Sequence, residues 1–305
     1  MSAPAASDGP RVLITGGTGN TGRAVAARLE AAGARVRLAS RAAPAPREGL
    51  DHARFDWADP ATHEGALRGV ERAYLVAPSV VEDPSALMLP FIDRALAGGV
   101  RRLVLLSASV VPEGGPGLGL VHRALRERAP EWAVLQPSWF MQNFVVPHNF
   151  RLAGILGPGE ITTATGGGRV AFVDADDIAE VAARALLDGA PHNAAHVITG
   201  PEALSYDDVA AILSEVAGRA IRHVRADEAA ARAHLVQAGV PAPYAALLVR
   251  LDLAIRDGAE DRVTDTVQRV TGRAPRAFRD FARAHAHVFH ELHEPTRARR
   301  DGAVA

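Results

Sequence analysis

The sequence predicts an α/β protein with a doubly wound parallel sheet and a smaller, mostly helical C-terminal lobe. In the first half of the chain, short apolar runs alternate with stretches of helical periodicity, which is the pattern of a parallel sheet covered by helices. The glycine-rich segment TGGTGNTGR joins the first apolar run to the first helical stretch. An aspartate followed by proline marks two further helix starts, at Asp59 and Asp83. Together these observations indicate a Rossmann-type fold.

The individual elements follow from the same periodicity and from capping residues. We predict strands near 11–15, 34–40, 53–55, 72–77, 102–108 and 132–136, and helices near 21–32, 60–69, 84–98 and 117–128. In the second half, RVAFVDADDIAEVAARALL reads as a strand leading into a helix capped by Asp174 or Asp176, and Ser205 caps a second helix. Later helices are predicted near 227–238, 241–256, 264–271 and 276–290.

These elements suggest a division of the chain into a nucleotide-binding part and a lobe. No linker in the sequence is rich enough in glycine, proline or serine to separate independent domains. We predict a Rossmann domain over 1–150 and 170–200, a substrate-binding lobe over 151–169 and 201–290, and a polar tail over 291–305.

Composition narrows the classes of function. A formal net charge of −1 over 305 residues gives no indication of a nucleic-acid or anionic-membrane partner. The chain has no cysteine, which excludes disulfides, thiolate nucleophiles and thiolate metal sites. No apolar run approaches the roughly 18 residues of a membrane span, and MSAPAASDGP lacks the features of a signal peptide. We therefore expect a cytoplasmic protein that acts on a small molecule, with monomer and homodimer both open.

The glycine-rich turn predicts a dinucleotide site. Gly16, Gly19 and Gly22 follow the first strand and open the first helix, as required for close approach of the backbone to a pyrophosphate. An acid at the end of the second strand would select NAD, but none occurs from 31 through 47. Ser40 and Arg41 stand there instead, and they suit a 2′-phosphate. An ordinary surface arginine is the alternative for Arg41. The predicted cofactor is therefore NADP, as NADPH.

Two residues at the end of the third strand are further candidates. Asp56 is placed to accept a hydrogen bond from the adenine amine, and Trp57 could flank the adenine, although core packing explains an aromatic residue there equally well. The predicted cofactor-binding set is Gly16, Thr18, Gly19, Asn20, Thr21, Gly22, Ser40, Arg41, Asp56, Trp57, Ala77, Pro78, Ser107 and Pro137.

At this point the sequence resembles a known family. TGGTGNTG, Ser40-Arg41, LLSAS, QPSWFMQNF, FVDADDIA and TGPEALSYDDVAAILSEVAGR are together similar to the NmrA-like branch of the atypical short-chain dehydrogenases/reductases, and closest to the festuclavine and agroclavine dehydrogenase type. The resemblance, from about Arg11 to Phe289, implies an NADPH site and a substrate pocket between the sheet edge and the C-terminal lobe. It also implies reduction of iminium ions, quinones or cationic dyes, or mere sensing of the NADP redox state.

The chain departs from its relatives at two positions. Relatives often carry an arginine where this chain has Gln136, before Pro137. Many carry a lysine at the start of the helix after LLSAS, where this chain has Leu120. Since that lysine would lie near the nicotinamide ribose, its loss puts in doubt any proton relay inferred from the family.

The usual catalytic pair of such reductases is missing as well. All 34 lysine-or-arginine positions are arginines, and an arginine stays protonated, so it cannot relay a proton. None of the tyrosines (Tyr74, Tyr206 and Tyr244) lies on the helix after LLSAS. The remaining catalytic candidates are His122 on that helix and Ser107 at the end of the strand. A helix-surface histidine is the alternative for His122, and a small spacer is the alternative for Ser107.

Residues after the sixth strand are the substrate candidates. Trp139, Phe140 and Asn143 follow this strand at the carboxyl edge of the sheet, where ligands of open α/β folds bind, with core packing as the alternative for the aromatic residues. His287, His290 and His293 share a helical spacing, but without a carboxylate cluster we predict no metal site. Arg297, Arg299 and Arg300 read as a polar tail rather than a binding patch.

The sequence therefore favours an NADPH-dependent oxidoreductase. The expected acceptor is an electrophilic, iminium-type small molecule of the kind met in secondary metabolism, because hydride addition to a cation needs no proton donor. Three alternatives stay open: an NADP(H)-sensing regulatory protein without turnover, a quinone or dye reductase, and a redox-neutral isomerase or cyclase that retains the cofactor.

Overall fold

The chain is organised as two structural units. The computed structural model describes residues 9–43, 51–78, 81, 83–147 and 149–290. The first unit contains the described residues up to Phe140, together with Val173–Pro201 and Val263–Pro275. The second contains Met141–Phe172, Glu202–Arg262 and the described residues from Arg276 onward.

These boundaries differ from the predicted ones mainly at two segments, and also at residues 170–172, which belong to the second unit, and at Pro201, which belongs to the first. Residues 263–275, which we predicted in the lobe, belong to the first unit. The hydroxyl of Thr264 donates to the carbonyl of Val197 at 2.8 Å, and the helix Thr266–Thr271 packs against the helix Ala175–Leu187. Residues 141–150, which we predicted in the Rossmann domain, fall in the second unit.

Strands and helices alternate as predicted through the first half of the chain. The strands are Arg11–Thr15 (β1), Arg35–Ser40 (β2), Asp51–Arg54 (β3), Arg72–Val76 (β4), Arg102–Leu106 (β5), Glu131–Pro137 (β6), Glu160–Thr163 (β7), Arg169–Val170 (β8), Ala194–Ile198 (β9), Leu204–Ser205 (β10) and Arg222–Arg225 (β11). The α-helices are Asn20–Ala31 (α1), His63–Leu67 (α2), Ser85–Ala97 (α3), Leu118–Arg128 (α4), Phe150–Leu156 (α5), Ala175–Leu187 (α6), Tyr206–Ala217 (α7), Glu228–Gln237 (α8), Ala242–Arg256 (α9), Thr266–Thr271 (α10), Phe278–Ala284 (α11) and Ala286–His290 (α12).

The first unit is built on a parallel sheet in the order β3-β2-β1-β4-β5-β6-β9. Helices α1, α6 and α10 contribute to the apolar core on one face, and α2, α3 and α4 to the core on the other. The direction of strand succession reverses between β1 and β4, and a ligand crevice of a doubly wound sheet lies at such a switch point. The predicted Rossmann-type fold is confirmed.

Local capping signals are confirmed, whereas two helix predictions need correction. The side chains of Asp59 and Asp174 accept from backbone N–H groups at their helix starts, and Ser205 forms a capping box with Asp208. The helix predicted at 60–69 is a 3₁₀ turn, Pro60–Thr62, followed by the short α2. The helix predicted at 276–290 divides into α11 and α12 at His285, whose N–H donates to the carbonyls of both Phe281 and Ala282.

The second unit combines helices with two small sheets. β7 pairs in parallel with β11, and β8 pairs antiparallel with β10, and the remaining elements of this mostly helical lobe are helices. Phe144, Phe172 and Phe278 contact one another at ring-centroid distances of 5.3–5.7 Å and form part of its core. None of the helices within the described residues is long and apolar enough to cross a membrane.

A buried histidine makes the stability of the first unit depend on pH. His196 lies on β9 with its Nε2 2.9 Å from Nδ1 of His192, whose own Nε2 is 3.2 Å from the Asp188 carboxylate. Because a carboxylate accepts, His192 donates to Asp188 and therefore accepts from His196. Burial is the main cause that lowers the pKa of His196 from 6.5 to about 4, and the proximity of His192 and Arg269 adds to it.

We expect the free energy of unfolding to fall on acidification. The unfolded chain protonates His196 at a higher pH than the folded chain does, so stability is retained above about pH 6.5 and is lost as the pH falls towards 4. The contribution of His196 to this loss should be about 2 kcal/mol between pH 7 and pH 5. Urea unfolding at both pH values should show a smaller decline for His196→Gln than for the wild type. Equal declines in the free energy of unfolding for the two proteins would show that His196 is not the group responsible.

Candidate functional site

Glycines occupy three positions of the turn between β1 and α1 and one in the first turn of α1 for steric reasons. Gly16 has a φ of +64°, in the left-handed region that favours glycine. The N–H of Gly19 donates to the Gly16 carbonyl at 2.9 Å and closes the turn. A Cβ on Gly22 would lie 2.3 Å from that same carbonyl oxygen. The spacing of Gly16, Gly19 and Gly22 therefore lets α1 begin directly against the loop.

The N-terminus of α1 is suited to an anion. Its N-cap residue is Gly19, which supplies no side-chain hydrogen bond, and its first turn contains no acidic residue. The first N–H groups of a helix lack intrahelical acceptors, and the helix dipole adds positive potential there. A phosphate group is the usual ligand of such a helix start.

A cavity of about 660 Å³ opens beside this loop, within the first unit. It lies at the carboxyl ends of β1, β2 and β4 and at the segment that follows β3. Its lining includes many of the predicted cofactor residues, namely Gly16, Thr18, Gly19, Ser40, Arg41, Asp56, Trp57, Ala77 and Pro78. The structure thus brings together residues that are up to about sixty positions apart in the chain.

The end of β2 carries the polar groups of this cavity. Arg41 is exposed, and its guanidinium forms no hydrogen bond or ion pair with any residue in the described part of the chain. The Ser40 hydroxyl donates to the Ala42 carbonyl at 2.6 Å and lies 2.9 Å from Nε2 of His52. Sequence reasoning missed His52. The signal that could have found it is the parallel pairing of β2 with β3, which places His52 opposite Leu38 and on the same face as Ser40.

Asp56 and Trp57 occupy the segment after β3. One oxygen of the half-buried Asp56 carboxylate accepts from the N–H of Ala58 at 2.9 Å. The Trp57 ring is buried and makes edge-to-face contacts with Phe55 and Phe91 at centroid distances of 4.9 and 5.0 Å. Core packing therefore accounts for much of the Trp57 surface, while its remaining edge lines the cavity.

The other predicted cofactor residues do not line this cavity. Thr21 and Gly22 are buried beneath the loop, and Asn20 is exposed at the start of α1. Pro137 is buried at the end of β6. Ser107 follows β5, and its buried Oγ has no hydrogen-bond partner among the described residues. Because a buried hydroxyl without a partner costs free energy, this position suits a site that a bound group completes.

His122 is a core residue rather than the surface residue that we set against a catalytic role. Only 4% of it is exposed, and its ring lies 5.9 Å from that of Trp132. Neither ring nitrogen has a hydrogen-bond partner in the described structure, although Nε2 is 3.9 Å from a Glu113 oxygen. Burial lowers the pKa of His122, which favours the neutral ring. The surface alternative is therefore wrong, and no contact of His122 points to catalysis.

Helix α4 offers no tyrosine or lysine side chain. Tyr74 is fully buried in β4, where burial raises the pKa of its hydroxyl. Tyr206 and Tyr244 lie in the second unit. Leu120, where many relatives have lysine, is half-buried in the first turn of α4.

The three substrate candidates fall in different units. Trp139 and Phe140 end the first segment of the first unit, and Asn143 lies in the 3₁₀ turn Met141–Phe144 of the second. Phe140 packs against the sheet core and bridges to Val173, which matches the packing alternative. Trp139 and Asn143 are both half-buried, and their contact with substrate stays a prediction.

The C-terminal histidines form no metal centre in the part of the chain that the structure describes. His287 and His290 belong to α12. His293 and the predicted polar tail with Arg297, Arg299 and Arg300 lie outside the described residues.

Comparison with known proteins places the chain in a family. Residues 12–100 match the NAD dependent epimerase/dehydratase family. The chain is 49% identical to the uncharacterised oxidoreductase YesF of Bacillus subtilis (strain 168), over 90% of this chain and 95% of that protein. It is 40% identical to agroclavine dehydrogenase of Claviceps fusiformis, over 91% and 98% of the two chains. The structure of Citrobacter sp. triphenylmethane reductase complexed with NADP(H) matches with a TM-score of 0.76 at 22% identity, over 90% and 99%. The chain therefore belongs to the NmrA-like atypical short-chain dehydrogenases/reductases, in the group that includes the agroclavine and festuclavine dehydrogenases.

Proposed function

We propose that the protein is an NADPH-dependent oxidoreductase that transfers hydride to an electrophilic small molecule with an iminium-type C=N group. The observation that carries the proposal is the cavity whose lining combines the glycine loop with Arg41. A pyrophosphate and a 2′-phosphate are the two anionic groups of NADPH, and this lining offers a helix N-terminus for one and a guanidinium for the other.

Residues of the first unit would hold each part of the cofactor. The loop from Gly16 to Gly19 would hold the pyrophosphate, and Ser40 with Arg41 the 2′-phosphate. The second oxygen of Asp56 would accept from the adenine amine. The unpartnered Oγ of Ser107 would hold the nicotinamide carboxamide or position the acceptor. Bound NADPH supplies the hydride, and the protein supplies binding, orientation and exclusion of water.

The acceptor half of the proposal rests on the missing proton donor. Hydride addition to a ketone develops an alkoxide, which needs an acid or strong donors in the transition state. Addition to an iminium carbon neutralises a positive charge and develops no anion. With His122 buried and no lysine in the chain, the acceptor that needs no acid is favoured. A relative of this chain, 40% identical, is named agroclavine dehydrogenase, and this supports a small-molecule acceptor of the clavine type.

One experiment separates this function from its rivals. Oxidation of NADPH is followed with a panel of iminium ions, quinones and cationic dyes. Turnover that is fastest with iminium ions supports the proposal. Turnover confined to quinones or dyes would show that the acceptor belongs to that class instead. Tight NADPH binding without oxidation by any acceptor indicates a redox sensor.

The choice of cofactor gives a specific prediction for Arg41. Arg41→Ala should weaken NADPH binding roughly ten- to a hundredfold, because one charge-assisted contact with the 2′-phosphate is lost. NADH lacks this phosphate, so its affinity should stay nearly unchanged. Titration of protein fluorescence measures both dissociation constants. Arg101→Ala removes an exposed arginine just before the amino end of β5 and serves as the control. Equal affinity of the wild type for NADPH and NADH would contradict the assignment of NADPH as the cofactor.

A further inference from the structure

His52 and Ser40 meet across the two outermost strands of the sheet. β3 runs parallel to β2 with Leu38 opposite His52 and Ser40 opposite Arg54, so His52 and Ser40 belong to the same face. The distance from His52 Nε2 to Ser40 Oγ is 2.9 Å. Ser40 lines the cavity, whereas His52 is not one of its lining residues.

The direction of this hydrogen bond follows from proton accounting. A serine hydroxyl has a single proton, and Ser40 donates it to the carbonyl of Ala42 at 2.6 Å. Nε2 of His52 therefore donates to Ser40. An Nε2–H is present both in one neutral tautomer and in the imidazolium ion, so the contact does not depend on the charge of His52.

We propose that His52 is a positioning residue that sets the preference for NADPH through Ser40. The inference rests on the proposed function, in which Ser40 and Arg41 bind the 2′-phosphate. By occupying one lone pair of Oγ, His52 holds the hydroxyl on the cavity side and leaves its proton free to turn from Ala42 to a phosphate oxygen. A hydroxyl that accepts a hydrogen bond is also a stronger donor.

The charged residues next to His52 on β3 have ion-pair partners other than His52. The Asp51 carboxylate on the same strand is engaged by Arg37 Nε at 3.0 Å, and Arg54 lies 3.9 Å from an Asp59 oxygen. The carbonyl of Ala42, which takes the Ser40 proton in this structure, is itself at the cavity wall. The arrangement thus provides a donor that a 2′-phosphate can capture without breaking the contact with His52.

The test measures the dissociation constants of NADPH and NADH for the full-length protein and four variants. These are His52→Ala, His52→Gln, Ser40→Ala and the double variant that combines His52→Ala with Ser40→Ala. His52→Ala should weaken NADPH about three- to tenfold and leave NADH unchanged, the size expected for one hydrogen bond. His52→Gln, whose amide can donate at similar reach, should restore affinity to within about twofold. Adding His52→Ala to Ser40→Ala should cause no further loss, because both act through one contact.

Each other outcome has a defined meaning. Equal losses for NADPH and NADH in His52→Ala would show a merely structural role, and full additivity with Ser40→Ala would show that His52 acts independently of Ser40. Either result overturns the inference. A wild type without preference for NADPH, or an Arg41→Ala variant with undiminished preference, would instead overturn the proposed function. Preference lost in Arg41→Ala but kept in His52→Ala overturns this inference alone.

Discussion

Gly22→Ala is expected to lower the affinity for NADPH by at least about a hundredfold. The new Cβ would lie 2.3 Å from the Gly16 carbonyl oxygen and 2.9 Å from Gly17 Cα. Both are backbone atoms, so no side chain can turn aside, and α1 must move away from the loop. This movement withdraws the helix N-terminus from the position where a pyrophosphate would bind, and several charge-assisted hydrogen bonds are lost together.

A matched glycine substitution controls for this prediction. Gly65 lies in α2, and a Cβ there would meet nothing within 4 Å, so Gly65→Ala should retain wild-type affinity. Isothermal titration gives the affinities, and thermal unfolding shows whether each variant is folded. Gly19→Ala, with a contact of 3.2 Å to the same oxygen, should cause a smaller loss than Gly22→Ala. Wild-type affinity in a folded Gly22→Ala variant would refute a phosphate-binding role for the loop.

The second large effect concerns the acceptor. We expect an iminium ion to be reduced at least about a hundredfold faster, in kcat/KM, than a ketone of similar size and shape. A positioned general acid contributes roughly 10²–10⁴ to the rate of ketone reduction. Helix α4 presents neither tyrosine nor lysine, and the hydroxyl of Ser107 is too weak an acid to replace them. A site without an acid slows reduction of the ketone, whereas the rate of reduction of the iminium ion is unaffected.

His122 provides the internal check on this prediction. His122→Leu, which fills a similar buried volume, should keep more than about a tenth of wild-type kcat, since losing a true acid costs about a hundredfold or more. Circular dichroism establishes that the variant is folded. A folded but inactive variant would make His122 the acid, and ketone reduction as fast as iminium reduction would remove the reason for a cationic acceptor.

Both predictions depend on a site whose parts were predicted with unequal success. The glycine loop, Ser40, Arg41 and Asp56 could be located from the sequence, because each follows a strand in a regular β–α alternation. In a parallel sheet the carboxyl ends of neighbouring strands meet at one edge, so strand ends in the sequence become neighbours around the cavity. The role of each residue towards the cofactor remains a prediction.

The sequence by itself determined the fold class, most strands and most helix starts, because periodicity, caps and glycine turns act over a few residues. Only the tertiary structure decided the surroundings of individual side chains. Sequence spacing does not bring His52 within 2.9 Å of Ser40, since this distance requires β3 to pair with β2 in one register. Likewise His122 is buried because α4 turns that residue towards the sheet, and 263–275 joins the first unit because α10 packs on α6. Such contacts join residues distant in the chain, and their free energy depends on the packing of whole elements rather than on local propensity.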